Sequence, residues 1–183
     1  MRYLKYISIF LISFLIKSCT KDVDFDQIDD ASIKTEYIST LVYFNLTATN
    51  FLDEFNNEIT SIGDIIDAPI SDESQDYLEK IEFTIITENS FDRDFLVQIA
   101  FFDKNNTLIY TLQPDVYIPA NTTTLTTIIE IPETDIDVIY NTEYFGFILS
   151  LLPSSDGSVI SNSDTSTLNL KSSAKLFFNF RKI

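Results

Sequence analysis

Residues 94–102 of the chain read DFLVQIAFF, and a large apolar residue stands at every second position of this stretch. Successive side chains of a β-strand point to opposite faces, so a period of two predicts a strand with one buried face. An amphipathic helix would instead repeat its apolar residues every three or four positions. The stretch therefore predicts a strand whose buried face carries Phe95, Val97, Ile99 and Phe101.

The same alternation recurs along the chain from residue 36 onward. Six further segments show it: LVYFNLTA (41–48), KIEFTII (80–86), TLIYTLQ (107–113), TTTLTTIIEI (122–131), EYFGFILSLL (143–152) and TLNLKSSAKLFFNF (167–180). Together they predict about seven strands, and no long stretch has a helical period. Pro114 follows one of these segments and is predicted to end that strand, because proline cannot donate a ladder hydrogen bond.

Short alternating strands in this number favour an all-β domain over residues 36–183, built as an antiparallel β-sandwich of Greek-key, immunoglobulin-like type. A small closed β-barrel is the alternative, since alternation alone does not distinguish two packed sheets from one rolled sheet. Residues 50–59 and 132–141 interrupt the alternation, and each is predicted to carry a short helix or a 3₁₀ turn.

The N-terminal residues have a different character. Arg2 and Lys5 precede an apolar run from Ile7 to Ile16, which is followed by Lys17, Ser18 and the single cysteine of the chain, Cys19. The run has the length of a signal-peptide core, and a permanent membrane span would need about twenty apolar residues. Residues 1–18 are therefore predicted to be a signal peptide.

The residues around Cys19 resemble a bacterial lipoprotein signal, which has an aliphatic residue three places before the cysteine and a small residue directly before it. Ile16 and Ser18 occupy these positions. The following CTKDVD (19–24) resembles the export signal of Bacteroidetes surface lipoproteins, and LLPSSDGSVISNSDTSTLNLKSS (151–173) is similar to small lipoproteins of flavobacteria. The resemblance implies lipidation of Cys19 and an export signal formed by Lys21, Asp22 and Asp24. It also implies a lipid-anchored location at the outer membrane, facing the cell exterior.

The charge of the chain limits its partners. Residues 19–35 are rich in aspartate and poor in large apolar residues, so they are predicted to form a solvated, lipidated tether. The whole chain has a net charge of −16 at pH 7. So acidic a surface repels phosphates, and nucleic-acid binding is therefore excluded.

Catalysis is restricted by the residue types present. The chain has no histidine, and lipidation of Cys19 would leave no thiol, so a Ser-His-Asp triad, a cysteine nucleophile and the usual zinc sites are excluded. No phosphate-binding glycine motif occurs. We therefore expect no enzyme activity and no cofactor. A glycoside hydrolase that uses paired carboxylates stays open as an alternative, because the chain has many acidic residues.

Aromatic residues at outward or loop positions are the candidate ligand contacts, since their rings can stack on sugars or dock in a protein groove. Ordinary β propensity also explains tyrosine at such positions. No metal site is predicted, although Asp156 and Asp164 of a polar loop are weak calcium candidates. The function predicted is a non-catalytic interaction module for an unknown protein partner, and a glycan-binding accessory protein is the alternative. The candidate contacts are Phe102, Tyr117, Tyr140 and Tyr144.

Overall fold

The computed structural model describes residues 32–68, 70–154 and 156–181. Within these residues the chain forms eight strands, two 3₁₀ helices and one helical turn of four residues, α1. The strands are β1 (Ser32–Thr47), β2 (Ser61–Asp67), β3 (Leu78–Asn89), β4 (Phe95–Phe102), β5 (Leu108–Ile118), β6 (Thr122–Ile131), β7 (Tyr144–Leu151) and β8 (Thr167–Arg181). The 3₁₀ helices are Ala48–Phe51 and Ile136–Ile139, and α1 is Asp72–Gln75.

The strands pair into two antiparallel four-stranded sheets, with the orders β1-β8-β3-β6 and β2-β7-β4-β5. In four of these neighbouring pairs the strand numbers add up to nine: β1 with β8, β2 with β7, β3 with β6 and β4 with β5. This is the pairing of one long hairpin of eight strands that has been rolled up. The result is a jelly roll, the double Greek-key form of the β-sandwich.

The predicted antiparallel β-sandwich is confirmed, and the two sheets are not closed into a barrel. The strand order refines the immunoglobulin-like expectation. An immunoglobulin domain places its first two strands side by side in one sheet. Here β1 and β2 belong to different sheets.

The core lies between the two sheets and is filled by the alternating residues that the sequence indicated. On β4 the four inward residues Phe95, Val97, Ile99 and Phe101 are at most 5% exposed. They pair in register with inward residues of β7, such as Phe145 opposite Phe101. Several phenylalanine rings meet there edge to face, a favourable arrangement for aromatic pairs.

The structure differs from the predicted strands at three places. β2 is an eighth strand, and β1 begins at Ser32, so residues 32–35 belong to a strand and not to the tether. β5 continues past Pro114 to Ile118. Its register with β4 shifts between the pairs Val97–Val116 and Ile99–Leu112, so Pro114 lies in a bulge of an edge strand, where no ladder hydrogen bond is required of it. The two predicted interruptions, 50–59 and 132–141, are confirmed in part of their length by the two 3₁₀ helices.

Residues 33–180 form one compact unit, and of the other unit the structure describes only Ser32 and Arg181. In the described part of the chain, no helix has the length and apolar character that crossing a membrane requires. The predicted signal peptide, Cys19 and the export signal Lys21, Asp22 and Asp24 lie outside the described residues.

Candidate functional site

The surface of the β2-β7-β4-β5 sheet that points away from the core is the candidate functional site, and we call it the outer face. Because β4 and β7 bury alternate residues, their remaining residues point outward, and the ladder registers place these in rows with residues of β2 and β5. The outer face consists of Ser61, Gly63, Ile65 and Asp67 of β2, Tyr144, Gly146, Ile148 and Ser150 of β7, Leu96, Gln98, Ala100 and Phe102 of β4, and Leu108, Thr111 and Tyr117 of β5.

A hollow of about 400 Å³ lies in the middle of the outer face. Gly146 forms its floor and is flanked in register by Ile65 and Ala100. A Cβ atom on Gly146 would lie 2.9 Å from Cε2 of Phe102 and 3.3 Å from Cγ1 of Ile65. Gly146 therefore lets the ring of Phe102 and the side chain of Ile65 approach the sheet closely, and apart from Asp64 the residues that line the hollow are glycine or apolar.

The outer face carries little charge, although the chain is strongly acidic. Its described strand positions include no lysine or arginine, and its carboxylates, such as Asp67 and Asp115, lie on the edge strands β2 and β5. Asp115 accepts a hydrogen bond of 2.9 Å from Nε2 of Gln98. Ile65 and Ile148 are 49% and 41% exposed. Exposed apolar side chains grouped on one face are typical of interaction surfaces.

The outward surface of the other sheet carries paired charges together with exposed apolar residues such as Ile86 and Ile128. Lys80 and Glu130 form an ion pair of 2.9 Å, and Lys175 pairs with Glu36 at 2.6 Å. The ammonium groups of Lys80 and Lys175 also lie 4.4 and 4.8 Å from the ring centre of Phe177. The two outward surfaces therefore differ in charge, since lysine and arginine are absent from the described strand positions of the outer face.

Phe102 and Tyr144, two of the predicted contact residues, lie opposite each other in the register of β4 and β7 beside the hollow. Tyr117 is on the same face but at the opposite end of β4, opposite Leu96. Its hydroxyl donates a hydrogen bond of 2.6 Å to Oδ2 of Asp94.

That hydrogen bond, together with one from the backbone N–H of Ala120, lowers the pKa of the Asp94 carboxyl. The same bond raises the pKa of the Tyr117 hydroxyl. Because Asp94 lies in the connection between β3 and β4, the tyrosine hydroxyl already ties β5 to that connection. The aromatic face of Tyr117, rather than its hydroxyl, is therefore what remains for a partner.

Tyr140 lies in the segment between β6 and β7 and does not join the other three candidates. It is half-buried and packs against the core, and burial, followed by the charges of Asp137 and Asp76, raises its pKa. Its carbonyl accepts a hydrogen bond from Nε2 of Gln75. The contacts of Tyr140 thus fix a connection of the sandwich.

The two calcium candidates each support their own loop. Oδ1 of Asp156 accepts from the N–H of Ser158 at 2.9 Å, and Oδ1 of Asp164 accepts from the N–H of Ser166 at 2.8 Å. The hydrogen bonds with Ser158 lower the pKa of Asp156. In the part of the chain that the structure describes, no three acidic, histidine or cysteine residues are grouped as metal ligands would be.

Sequence reasoning missed Ile65, Gly146 and Ile148, the residues that build the hollow with Phe102. A signal for them is present in the two central strands of the sheet. Residues 94–102 and 143–152 have apolar residues at several outward positions, such as Leu96, Phe102 and Ile148, as well as at the inward ones. A strand that is apolar on both faces indicates that its outward face also contacts something apolar.

Comparisons with known proteins reveal only distant similarity. No family model matches the chain, and no curated protein sequence matches it. The chain is similar to a candidate secreted protein from Parabacteroides distasonis ATCC 8503, with 14% identity, a TM-score of 0.49, and coverage of 63% of this chain and 37% of that one. It is also similar to the VP2 subviral particle of infectious bursal disease virus, with 12% identity, a TM-score of 0.44, and coverage of 79% and 32%.

A third similar structure is the enzymatically active domain of tailspike protein 4 of bacteriophage CBA120. It has 9% identity and a TM-score of 0.36, and the match covers 80% of this chain and 19% of that one. The chain thus spans well under half the length of each of these proteins. Similarity this distant gives no information about function.

Proposed function

We propose that this protein is a lipid-anchored, non-catalytic binding module on the exterior side of the outer membrane, and that its outer face binds a protein partner. The observation that carries the proposal is the contrast between the two sheets. One outward surface carries lysine–glutamate ion pairs beside exposed apolar residues such as Ile128, whereas the other has no lysine or arginine at its described strand positions and has a hollow of about 400 Å³ near its centre. Interaction surfaces of proteins have this arrangement of an apolar centre with polar groups at the margin.

The exposed apolar side chains supply the driving force for binding. Ile65, Ile148 and Leu108 are 49%, 41% and 55% exposed. Full burial of such a side chain contributes about 1.5–3 kcal/mol, so covering the exposed half of each contributes roughly 1 kcal/mol. The hollow suits an inserted side chain of the partner, because a buried anchor in a pocket is the usual centre of binding energy.

The charges at the margin indicate the partner's chemistry. Asp67 and Asp115 border the outer face, and the whole chain has a net charge of −16. We therefore infer an apolar projection on the partner with lysine or arginine residues around it, since opposite potentials steer association and stabilise the complex.

The sequence around Cys19 supports the anchor. Several alkyl chains attached at one cysteine hold a protein on a membrane effectively permanently, because each buried methylene contributes about 0.8 kcal/mol. We expect Cys19→Ser to move the protein from washed outer membranes to the soluble fraction. Mass spectrometry of the N-terminal peptide provides an independent test, and an unmodified thiol at Cys19 would contradict the anchor.

The partner is tested by affinity capture from solubilised outer membranes, with wild type, Ile148→Asp and Ile128→Asp compared. Ile148 borders the hollow, whereas Ile128 is an equally β-branched, exposed residue on the outward surface of the other sheet. Truncation of a central contact commonly costs 2 kcal/mol or more, which is about a thirtyfold loss of affinity. We expect Ile148→Asp to lose the partner and Ile128→Asp to retain it.

Equal capture by both variants would contradict binding through the outer face. The glycan alternative is decided by binding measurements across a panel of polysaccharides. If a polysaccharide binds and Ile148→Asp abolishes that binding, the outer face is a glycan site and the protein-partner proposal is wrong.

A further inference from the structure

A second, mainly apolar cavity lies at the side of the sandwich. It is bordered by β1 and β2, which are edge strands of the two sheets. We call it the side cavity. It has a volume of about 380 Å³ and is lined by Tyr37 and residues 39–41 of β1 and by residues 66–68 at the end of β2. Core residues of β3, β4, β7 and β8 form its inner wall.

The inner wall of the side cavity belongs to the hydrophobic core. Phe83, Phe101 and Phe145 are each at most 4% exposed in the protein as a whole, and all three line the cavity. A water molecule is held in a cavity only where it has two to four polar partners, and these rings offer none. An apolar molecule in the side cavity would extend the core, and a volume of 300–1,000 Å³ is typical of small-molecule sites.

One polar side chain of the wall has an unused hydrogen-bonding group. Thr142 is 4% exposed, and the structure shows no partner for its Oγ1 among the described residues. Its backbone is satisfied, because its N–H donates to the carbonyl of Ile139 and its carbonyl accepts from the N–H of Ile70. Thr142 lines the side cavity, so a ligand oxygen that reaches this hydroxyl would supply the hydrogen-bond partner that it lacks.

The charges around the side cavity restrict the ligand further. Asp67 is at its rim, and the described residues that line it include no lysine or arginine. A carboxylate or phosphate would be repelled at the rim and left unpaired inside, which carries a large desolvation cost. The ligand is therefore uncharged, and one oxygen suffices to use the buried hydroxyl of Thr142; the other hydroxyl-bearing residues of the lining, Tyr37, Ser39 and Thr40, belong to the edge strand β1.

We propose that the side cavity is a binding site for a neutral, mainly aliphatic small molecule with one hydroxyl or carbonyl oxygen, such as a medium-chain alcohol. The apolar body contacts the rings of the inner wall, and the oxygen forms a hydrogen bond with the hydroxyl of Thr142. This site shares only Asp67, at its rim, with the outer face and no residue with the hollow, and it does not depend on the function proposed for the outer face.

The test uses the full chain with Cys19→Ser, so that no detergent competes for the cavity. Nile red, a neutral dye whose fluorescence rises in apolar surroundings, serves as the probe, and 1-decanol and decanoate serve as competitors. We expect saturable Nile red binding at one site, displacement by 1-decanol, and at least tenfold weaker displacement by decanoate at neutral pH. Absence of saturable binding, or equal competition by the two compounds, overturns the proposal.

Three substitutions locate the probe. Ala174→Leu fills the inner wall of the side cavity, and Ala68→Phe blocks its rim at a half-buried position that tolerates a larger residue more easily. Ala100→Leu is the matched control, because it fills the hollow of the outer face instead. We expect the first two to abolish Nile red binding and Ala100→Leu to retain it. Loss with Ala100→Leu and retention with Ala68→Phe would place the probe on the outer face and overturn the proposal.

Thr142→Val tests the hydrogen bond, because valine has nearly the shape of threonine without the hydroxyl. We expect 1-decanol to bind about threefold to tenfold more weakly, the value of one net hydrogen bond. The free protein should be no less resistant to urea, since the lost hydroxyl had no partner. Unchanged affinity for 1-decanol would refute the role of Thr142.

Discussion

Removal of Glu58 should destabilise the sandwich strongly, because it would leave the guanidinium of Arg93 buried without a counter-charge. The two side chains are 14% and 6% exposed, and they form a bidentate pair with distances of 2.9 Å and 3.1 Å. Arg93 also donates to the carbonyls of Leu152 and Ser158, and Glu58 also accepts from the N–H of Ile160.

The magnitude follows from this burial. Removing one partner of a buried ion pair costs about 3–5 kcal/mol, whereas an exposed pair contributes about 0–1 kcal/mol. Lys80–Glu130 is the exposed comparison, with side chains that are 29% and 46% exposed. For Glu58→Leu we expect the urea midpoint to fall by about 1.5–2.5 M if the m-value is about 2 kcal/mol/M, and for Glu130→Leu by about 0.5 M or less.

The assay is equilibrium unfolding in urea, followed by far-ultraviolet circular dichroism, with the m-value fitted for each variant. The double variant Glu58→Leu/Arg93→Met removes both charges together. We expect it to be more stable than the sum of the two single effects predicts, by about 2 kcal/mol or more, because no unpaired charge stays buried. Equal midpoints for Glu58→Leu and Glu130→Leu, or strict additivity in the double variant, would refute the reasoning.

Three further predictions concern pH, the core and the hollow. The pKa of Asp94 is lowered by its hydrogen bond with Tyr117, so its stabilisation is present above the unfolded pKa of about 4 and is lost as the pH falls through the lower folded value. In urea titrations at several pH values, the stability advantage of wild type over Asp94→Asn should therefore shrink below about pH 4. Phe95 is 0% exposed, and its ring centre lies 5.2 and 5.6 Å from those of two other phenylalanines, so Phe95→Ala should cost about 3–5 kcal/mol in the same assay. Gly146→Val should displace Phe102 and Ile65 and so change the shape of the hollow, which would weaken capture of the partner at a cost of about 1–3 kcal/mol in a urea titration; undiminished capture would contradict the site.

The sequence predicts those strands that bury one face in the core. In β4 and in the first part of β3 each inward position is a large apolar residue and its neighbours are not uniformly so, because a half-buried strand selects residues with a period of two. β2 was not predicted from the sequence, and the reason is physical. It is an edge strand of which only Ile62 and Ile66 pack against the core, so its pattern is too short and too polar to stand out.

The strand order has no local signal. Val42 of β1 donates a hydrogen bond to the side chain of Ser172 in β8, across 130 residues of sequence. Which distant strands pair depends on how all of them bury their inward faces at once, so a single sequence predicts a sandwich more readily than a jelly roll. The prediction that Pro114 ends its strand was wrong for a related reason. An edge strand tolerates a proline, and no local sequence feature shows that β5 is an edge strand.

The candidate site was accessible from the sequence only in part. Phe102, Tyr117 and Tyr144 were identified as separate aromatic residues, and the structure places all three on the outer face. The hollow depends on Gly146 and Ile65, which come together through the pairing of β2 with β7. An isolated glycine in a strand indicates a bulge or a close approach, but only the register shows which side chains border it.

The rolled hairpin also determines how the molecule responds to force. β1 and β8 are antiparallel neighbours, and the contacts Glu36–Lys175 and Val42–Ser172 show that the start of one lies beside the end of the other. Tension between a membrane anchor ahead of β1 and any attachment behind β8 would pull the two strands apart from one end. The hydrogen bonds between them would then break one after another. A partner bound to the outer face would apply force to the sheet that does not contain β1 and β8. Its pull would therefore not act directly on the hydrogen bonds between these two strands.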